Sequence, residues 1–170
     1  MIHFVLFIVI GIAFITDARK SMIPNRLTVC GTLVGIMFHS VNEGWSGFLF
    51  AFTGAAVGFI ALLFLYMIGA LGAGDVKLFT SIGAIMGMAF VIQAMFYALI
   101  FAGVIGLILL LVRKQMMTTG HRLTNWFICL LASRDLDSFL HIKQQKNLKF
   151  PFMYAVLPGA CMAWYYSFLG

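Results

Sequence analysis

Two aspartates carry the chemistry that this sequence is equipped to do. Asp17 stands in ITDARKSMIPNRLT and Asp75 in GALGAGDVKL, each where a long apolar run gives way to charge. The chain has five acidic residues, and the other three have ordinary readings: Glu43 lies in a turn, Asp135 and Asp137 in a polar loop. Two carboxyl groups held close together do not both ionise easily, so they share one proton. One then works as a base on a water while the other, protonated, polarises a carbonyl. That apparatus hydrolyses a peptide bond with neither a metal nor a covalent nucleophile. Each acid taken singly also has a simpler reading. Asp17 is then a solvated turn residue beside Arg19 and Lys20, and Asp75 a helix N-cap behind a glycine-rich break, near Lys77.

Other chemistries find little support. The sequence has no GxSxG and no HExxH, and His3, His39, His121 and His141 are scattered. The three cysteines, Cys30, Cys129 and Cys161, are far apart and form no CxxC pair, which argues against both a disulfide framework and a zinc site. They read as packing residues. No metal and no cofactor is expected.

The elements that must position the two acids follow from composition. The chain is 63% hydrophobic and 9% charged, with a mean hydropathy of +1.06. A soluble domain carries close to a quarter charged residues, so this is an integral membrane protein. Apolar segments run at about 2 to 16, 27 to 41, 48 to 71, 78 to 90, 91 to 112 and 151 to 169. The fourth and fifth form one uncharged run, about 52 Å long as a single helix against a hydrocarbon core of about 30 Å. A turn near Gly87 to Gln93 resolves that excess. The first segment lacks a basic start and a cleavage site, so it is read as a retained span. The expectation is an all-α polytopic bundle of about six transmembrane helices, a single membrane-embedded domain over 1–170 with an inner loop at about 113–150.

With the N- and C-termini outside, every Lys and Arg falls in the inner loops 17–26, 72–77 and 113–150. Inner loops of membrane proteins are enriched in these residues. The net charge of +6 therefore orients the chain against anionic membrane lipid and needs no nucleic acid partner. Both aspartates fall at the inner edge. Gly31/Gly35, Gly54/Gly58 and Gly83/Gly87 lie at small-xxx-small spacing inside spans, where they favour close helix packing. Within the inner loop, LTNWFICLLA (123–132) is too short to span and reads as an interfacial helix or a hydrophobic loop.

Constrained backbone frames both acids. Gly72 and Gly74 permit positive φ and let another backbone come close to Asp75. Pro24 favours a helix start or a sharp turn after Asp17. At these residues the sequence resembles the prepilin peptidases, the GxGD aspartic peptidases of the bacterial inner membrane. The matching pieces are Asp17 followed by Ile23, Pro24 and Asn25, then Gly72-Ala73-Gly74-Asp75-Val76-Lys77-Leu78, and the proline-bearing start of the last span, FPFMYAVLPGA.

The resemblance implies cleavage of the short basic leader from type IV pilin-like precursors, prepilins or pseudopilins, at the cytoplasmic face, with Asp17 and Asp75 as the catalytic pair. Gly72 and Gly74 would let substrate reach Asp75, and Lys77 would tune the pair or anchor to lipid phosphate. Pro24, Asn25, Pro151 and Pro158 would shape the helices around it. Longer family members carry a CxxC segment and N-methylate the product. Lacking that segment, this chain is similar to the short form of tight-adherence (Flp) pilus systems, a peptidase without methyltransferase, with pilus or secretion machinery as partner. Two other readings stand beside it: a cation- or proton-coupled transporter using paired acids, and a non-catalytic scaffold of a secretion machine.

Overall fold

A computed structural model of the chain describes residues 2–20, 22–69, 71–112 and 152–169, whose regular elements are all α-helices. They are α1 (Ile2–Lys20), α2 (Asn25–Met67), α3 (Ala73–Val112) and α4 (Met153–Leu169). Among the described residues, three stretches are long and apolar enough to cross a membrane, Ile2–Arg19, Asn25–Met67 and Ala73–Leu109. The loop 113–150, its LTNWFICLLA segment, Cys129 and Pro151 lie outside the described residues.

Two glycines decide how the long helices are used. Gly44 (φ 61°) interrupts α2 and Gly87 (φ 83°) interrupts α3, each with backbone angles that residues bearing a Cβ rarely adopt. The chain turns back at both. A Cβ on Gly47 would overlap the carbonyl oxygen of His39, although an unbroken helix sets these residues about 12 Å apart. A Cβ on Gly58 would lie 2.5 Å from the Phe79 carbonyl oxygen and 3.2 Å from Val91 Cγ2, two positions about 18 Å apart along one straight helix. Each long helix is therefore two arms, and the breaks fall in the VNEGWSG turn and at the start of the expected Gly87 to Gln93 turn.

Glycine also sets the packing. The backbones of Gly54 and Gly83 are in direct contact, and a Cβ on Gly35 would meet the Ala84 carbonyl oxygen at 2.7 Å. Gly31 faces Ser81 and Val9, so the first arms of α2 and α3 run side by side in the same direction, against α1. His39 Nε2 lies 3.0 Å from the Ile85 carbonyl oxygen, a group that the break at Gly87 removes from the helical ladder. α4 packs antiparallel to α1, with Phe14 edge-on to Tyr154 at 5.3 Å and Phe7 edge-on to Trp164 at 5.5 Å. Phe79, Leu6, Leu62, Leu78, Ile82 and Ile85 fill the core.

Chain contacts divide the molecule into two units: residues 1–102 with 150–170, and residues 103–149, whose described part is the last stretch of α3. Both aspartates belong to the first. Cys30 and Cys161 are exposed, which corrects their reading as packing residues: they lie on helix faces that carry other exposed apolar side chains.

Candidate active site

Four helix ends meet where the charged motifs fold. The C-terminal turn of α1 carries Asp17, and the first turns of α2, α3 and α4 bring Asn25, Asp75 and Met153. Three of these ends are N-termini, whose leading N–H groups have no acceptor within their own helix and attract anions.

Asp75 differs from the sequence expectation in a way that explains its position. Residues 72–77 were expected as a loop, yet α3 begins at Ala73 and includes Asp75 in its first turn. Its Oδ2 accepts the Gly72 N–H at 3.1 Å, and the Asp75 N–H returns to the Gly72 carbonyl at 3.1 Å. This is the reach-back half of a capping box: the third helical residue satisfies the amide of the cap. The carboxylate is thereby held at the helix start, and Asp75 as a whole is 9% exposed.

Asp17 lies within α1 rather than in the loop after it, because the helix continues to Lys20. It is 7% exposed, and its Oδ2 accepts the Met153 N–H at 3.4 Å. The turn that follows α1 packs against the start of α3, with Ile23 beside Gly74, so both acids lie at that end of the bundle. The structure thus brings together two buried acids at one end of the bundle, each holding a backbone N–H on one oxygen.

The neighbouring motif residues join the same ends. Pro24 is the N-cap of α2 (φ −64°, ψ 129°), and its carbonyl accepts the Leu27 N–H at 3.1 Å, in keeping with the expected helix start. Lys77 Nζ donates to Asn25 Oδ1 at 2.9 Å, tying the starts of α2 and α3.

Gly72 and Gly74 also need correction. The positive φ of this region is at Gly69 (φ 82°), which closes the end of α2 with its N–H on the Tyr66 carbonyl at 2.9 Å. Gly72 and Gly74 serve close approach instead. A Cβ on Gly74 would meet Ile23 Cβ at 3.3 Å, and one on Gly72 would crowd Asp75 Oδ2 at 3.2 Å. Sequence reasoning missed the Met153 amide, since a main-chain donor leaves no mark in residue type. It also missed Thr28, a buried neighbour of the IPN turn whose hydroxyl donates to the Asn25 carbonyl at 3.0 Å.

Membrane-length apolar helices with two buried aspartates where helix ends meet define a class of helical membrane proteins. Within that class the chain belongs to the type IV leader peptidase family, whose pattern matches residues 4–110. Over 99 residues it is 31% identical to the prepilin leader peptidase/N-methyltransferase of Bacillus subtilis (strain 168), a stretch covering 56% of this chain and 39% of that relative. The match thus spans well under half the relative's length. No solved structure matches the fold.

Proposed function

We propose that the chain is a membrane aspartic endopeptidase that removes the short leader of prepilin or pseudopilin precursors at the cytoplasmic face of the inner membrane. What supports this reading is that Asp17 and Asp75, far apart in sequence, are both buried at one end of the bundle in a member of a leader peptidase family.

The two acids share one proton. The ionised member takes a proton from a water as its oxygen attacks the scissile carbonyl, and the protonated member gives its proton to the carbonyl oxygen, which leaves a gem-diol. The gem-diol collapses as the first acid passes the proton it took from water to the leaving amine and the second takes back a hydroxyl proton, which restores the pair. Gly72 leaves room for substrate backbone next to Asp75, while Pro24, Asn25 and Lys77 hold the helix starts in register.

The arms of α2 and α3, with α1 and α4, cross the membrane as six spans. The turns at Gly44 and Gly87 face outside with both termini, and the basic loops face the cytoplasm. The reading without methyl transfer, as in the short Flp-type enzymes, rests on the absence of CxxC spacing among Cys30, Cys129 and Cys161. Partner machinery for pilus assembly or secretion would take up the processed product.

Co-expression with a prepilin followed by mass spectrometry of the product tests the proposal. The parental chain should yield a shortened pilin with an unmethylated amino terminus. Asp17→Asn and Asp75→Asn should leave the precursor intact at normal protein level. Processing by either variant at the parental rate would remove the acid pair from the mechanism.

A further inference from the structure

We propose that the first turn of α4 is a positioning element for the acid pair, acting through the main-chain N–H of Met153 on Asp17. This rests on the peptidase reading above. Met153 opens α4, so its amide has no acceptor within the helix. Two later donors of the same turn point inward: the Ala155 and Val156 N–H groups go to the Phe152 carbonyl at 2.9 and 3.2 Å. Met153 itself is fully buried, which denies its amide a water, and the Asp17 carboxylate is the acceptor that meets it.

The bond spans 136 positions of sequence and couples the last helix to the first. Phe14 against Tyr154, and the wholly buried Ala13 and Met153 of one core cluster, fix the two helices around it. Rotating Asp17 away would strand a buried donor, which is costly. At 3.4 Å the contact is at the long end for a hydrogen bond. Hydrogen bonds at catalytic groups often shorten only once substrate is bound. Asp75 draws its donor from its own helix, whereas Asp17 depends on a separate one. The spacing of the pair is therefore set by how α4 docks, and the Met153 side chain need not touch substrate.

The test uses the full chain in phospholipid nanodiscs, with a peptide containing a prepilin leader and its apolar helix as substrate. Replacing the amide at Met153 by an ester, through the hydroxy-acid analogue of methionine, deletes the donor and keeps the side chain. The expected result is a fall in kcat of about tenfold or more with KM within about twofold, because the lost bond holds a charged group that acts on the reacting atoms. An ester at Ala160, in the body of α4, should leave kcat within about twofold.

A stability cycle is read independently of catalysis. The ester at Met153 should lower the unfolding temperature of the parental chain but not of Asp17→Ala. Equal lowering in both backgrounds, or an unchanged kcat in the parental chain, overturns the proposal even where Asp17→Asn abolishes cleavage. Parental-rate cleavage by Asp17→Asn would instead overturn the peptidase reading, leaving the stability cycle to report whether Met153 and Asp17 are bonded.

Discussion

Lys77 Nζ donates to Asn25 Oδ1 at 2.9 Å, joining residues 52 positions apart. Each residue lies at the start of a helix that brings one charged motif to the site. The bond links Asp-x5-IPN to GAGDVK directly, two motifs that the sequence leaves a whole pair of helix arms apart. Since both side chains are exposed, the contact contributes about 1 kcal/mol or less to stability. Its consequence lies in the alignment of the helix starts.

Lys77→Met and Asn25→Ala should each lower kcat/KM several-fold, and the double variant should be no worse than the weaker single. Interacting residues show such non-additivity in a double-mutant cycle. Full multiplication of the two losses would show that Lys77 and Asn25 act separately.

Gly74→Ala should lower kcat/KM more than it lowers the unfolding temperature. Its new Cβ would stand 3.3 Å from Ile23 Cβ, and the neighbour would have to yield by a few tenths of an ångström. That movement displaces the turn before Asp75 at a place where small misplacements are expensive for catalysis. Parallel measurements of cleavage and thermal unfolding in detergent separate the two effects.

Gly54→Ala should destabilise the fold by about 2 kcal/mol or more, since the added carbon would overlap the Gly83 carbonyl oxygen and separate two arms that touch through their backbones. Gly11→Ala is the contrasting case. Nothing lies within 4 Å of its new Cβ, so replacement should be neutral or stabilise by up to about 1 kcal/mol through helix propensity. Thermal unfolding of both variants in one detergent makes the comparison.

Ser81→Ala should leave stability unchanged or raise it by about 1 kcal/mol. The Ser81 hydroxyl is fully buried and has no hydrogen-bond partner among the described residues. A group in that state penalises the fold, and removing it leaves only a small void beside Gly31. A marked loss of stability would reveal a partner for this hydroxyl.

The helical architecture was legible because scarcity made it so. Charge is rare enough that Asp17 and Asp75 stand out, and the uninterrupted apolar run around Gly87 exceeds one membrane thickness, which forced a turn where the chain makes one. Local pattern misled at GAGD. Two glycines read as loop, whereas Asp75 satisfies the Gly72 amide and lets the helix begin earlier, so the glycines serve contacts with Ile23 and the carboxylate instead of unusual φ. Contacts formed by main-chain groups left no trace at all. The Met153 amide on Asp17 and the Ile85 carbonyl on His39 depend on where helices dock and break, and no residue type announces either.

The central claim is that Asp17 and Asp75 work as one unit on one water. Cleavage of a prepilin by the purified chain, compared among Asp17→Asn, Asp75→Asn and the double variant, tests it most directly. Groups that act as a unit lose nearly all their effect with the first removal. The account predicts that each single variant falls by about a thousandfold or more and that the double variant falls no further. Parental-rate cleavage by either single variant, or a double variant slower by the product of the two single losses, would contradict it.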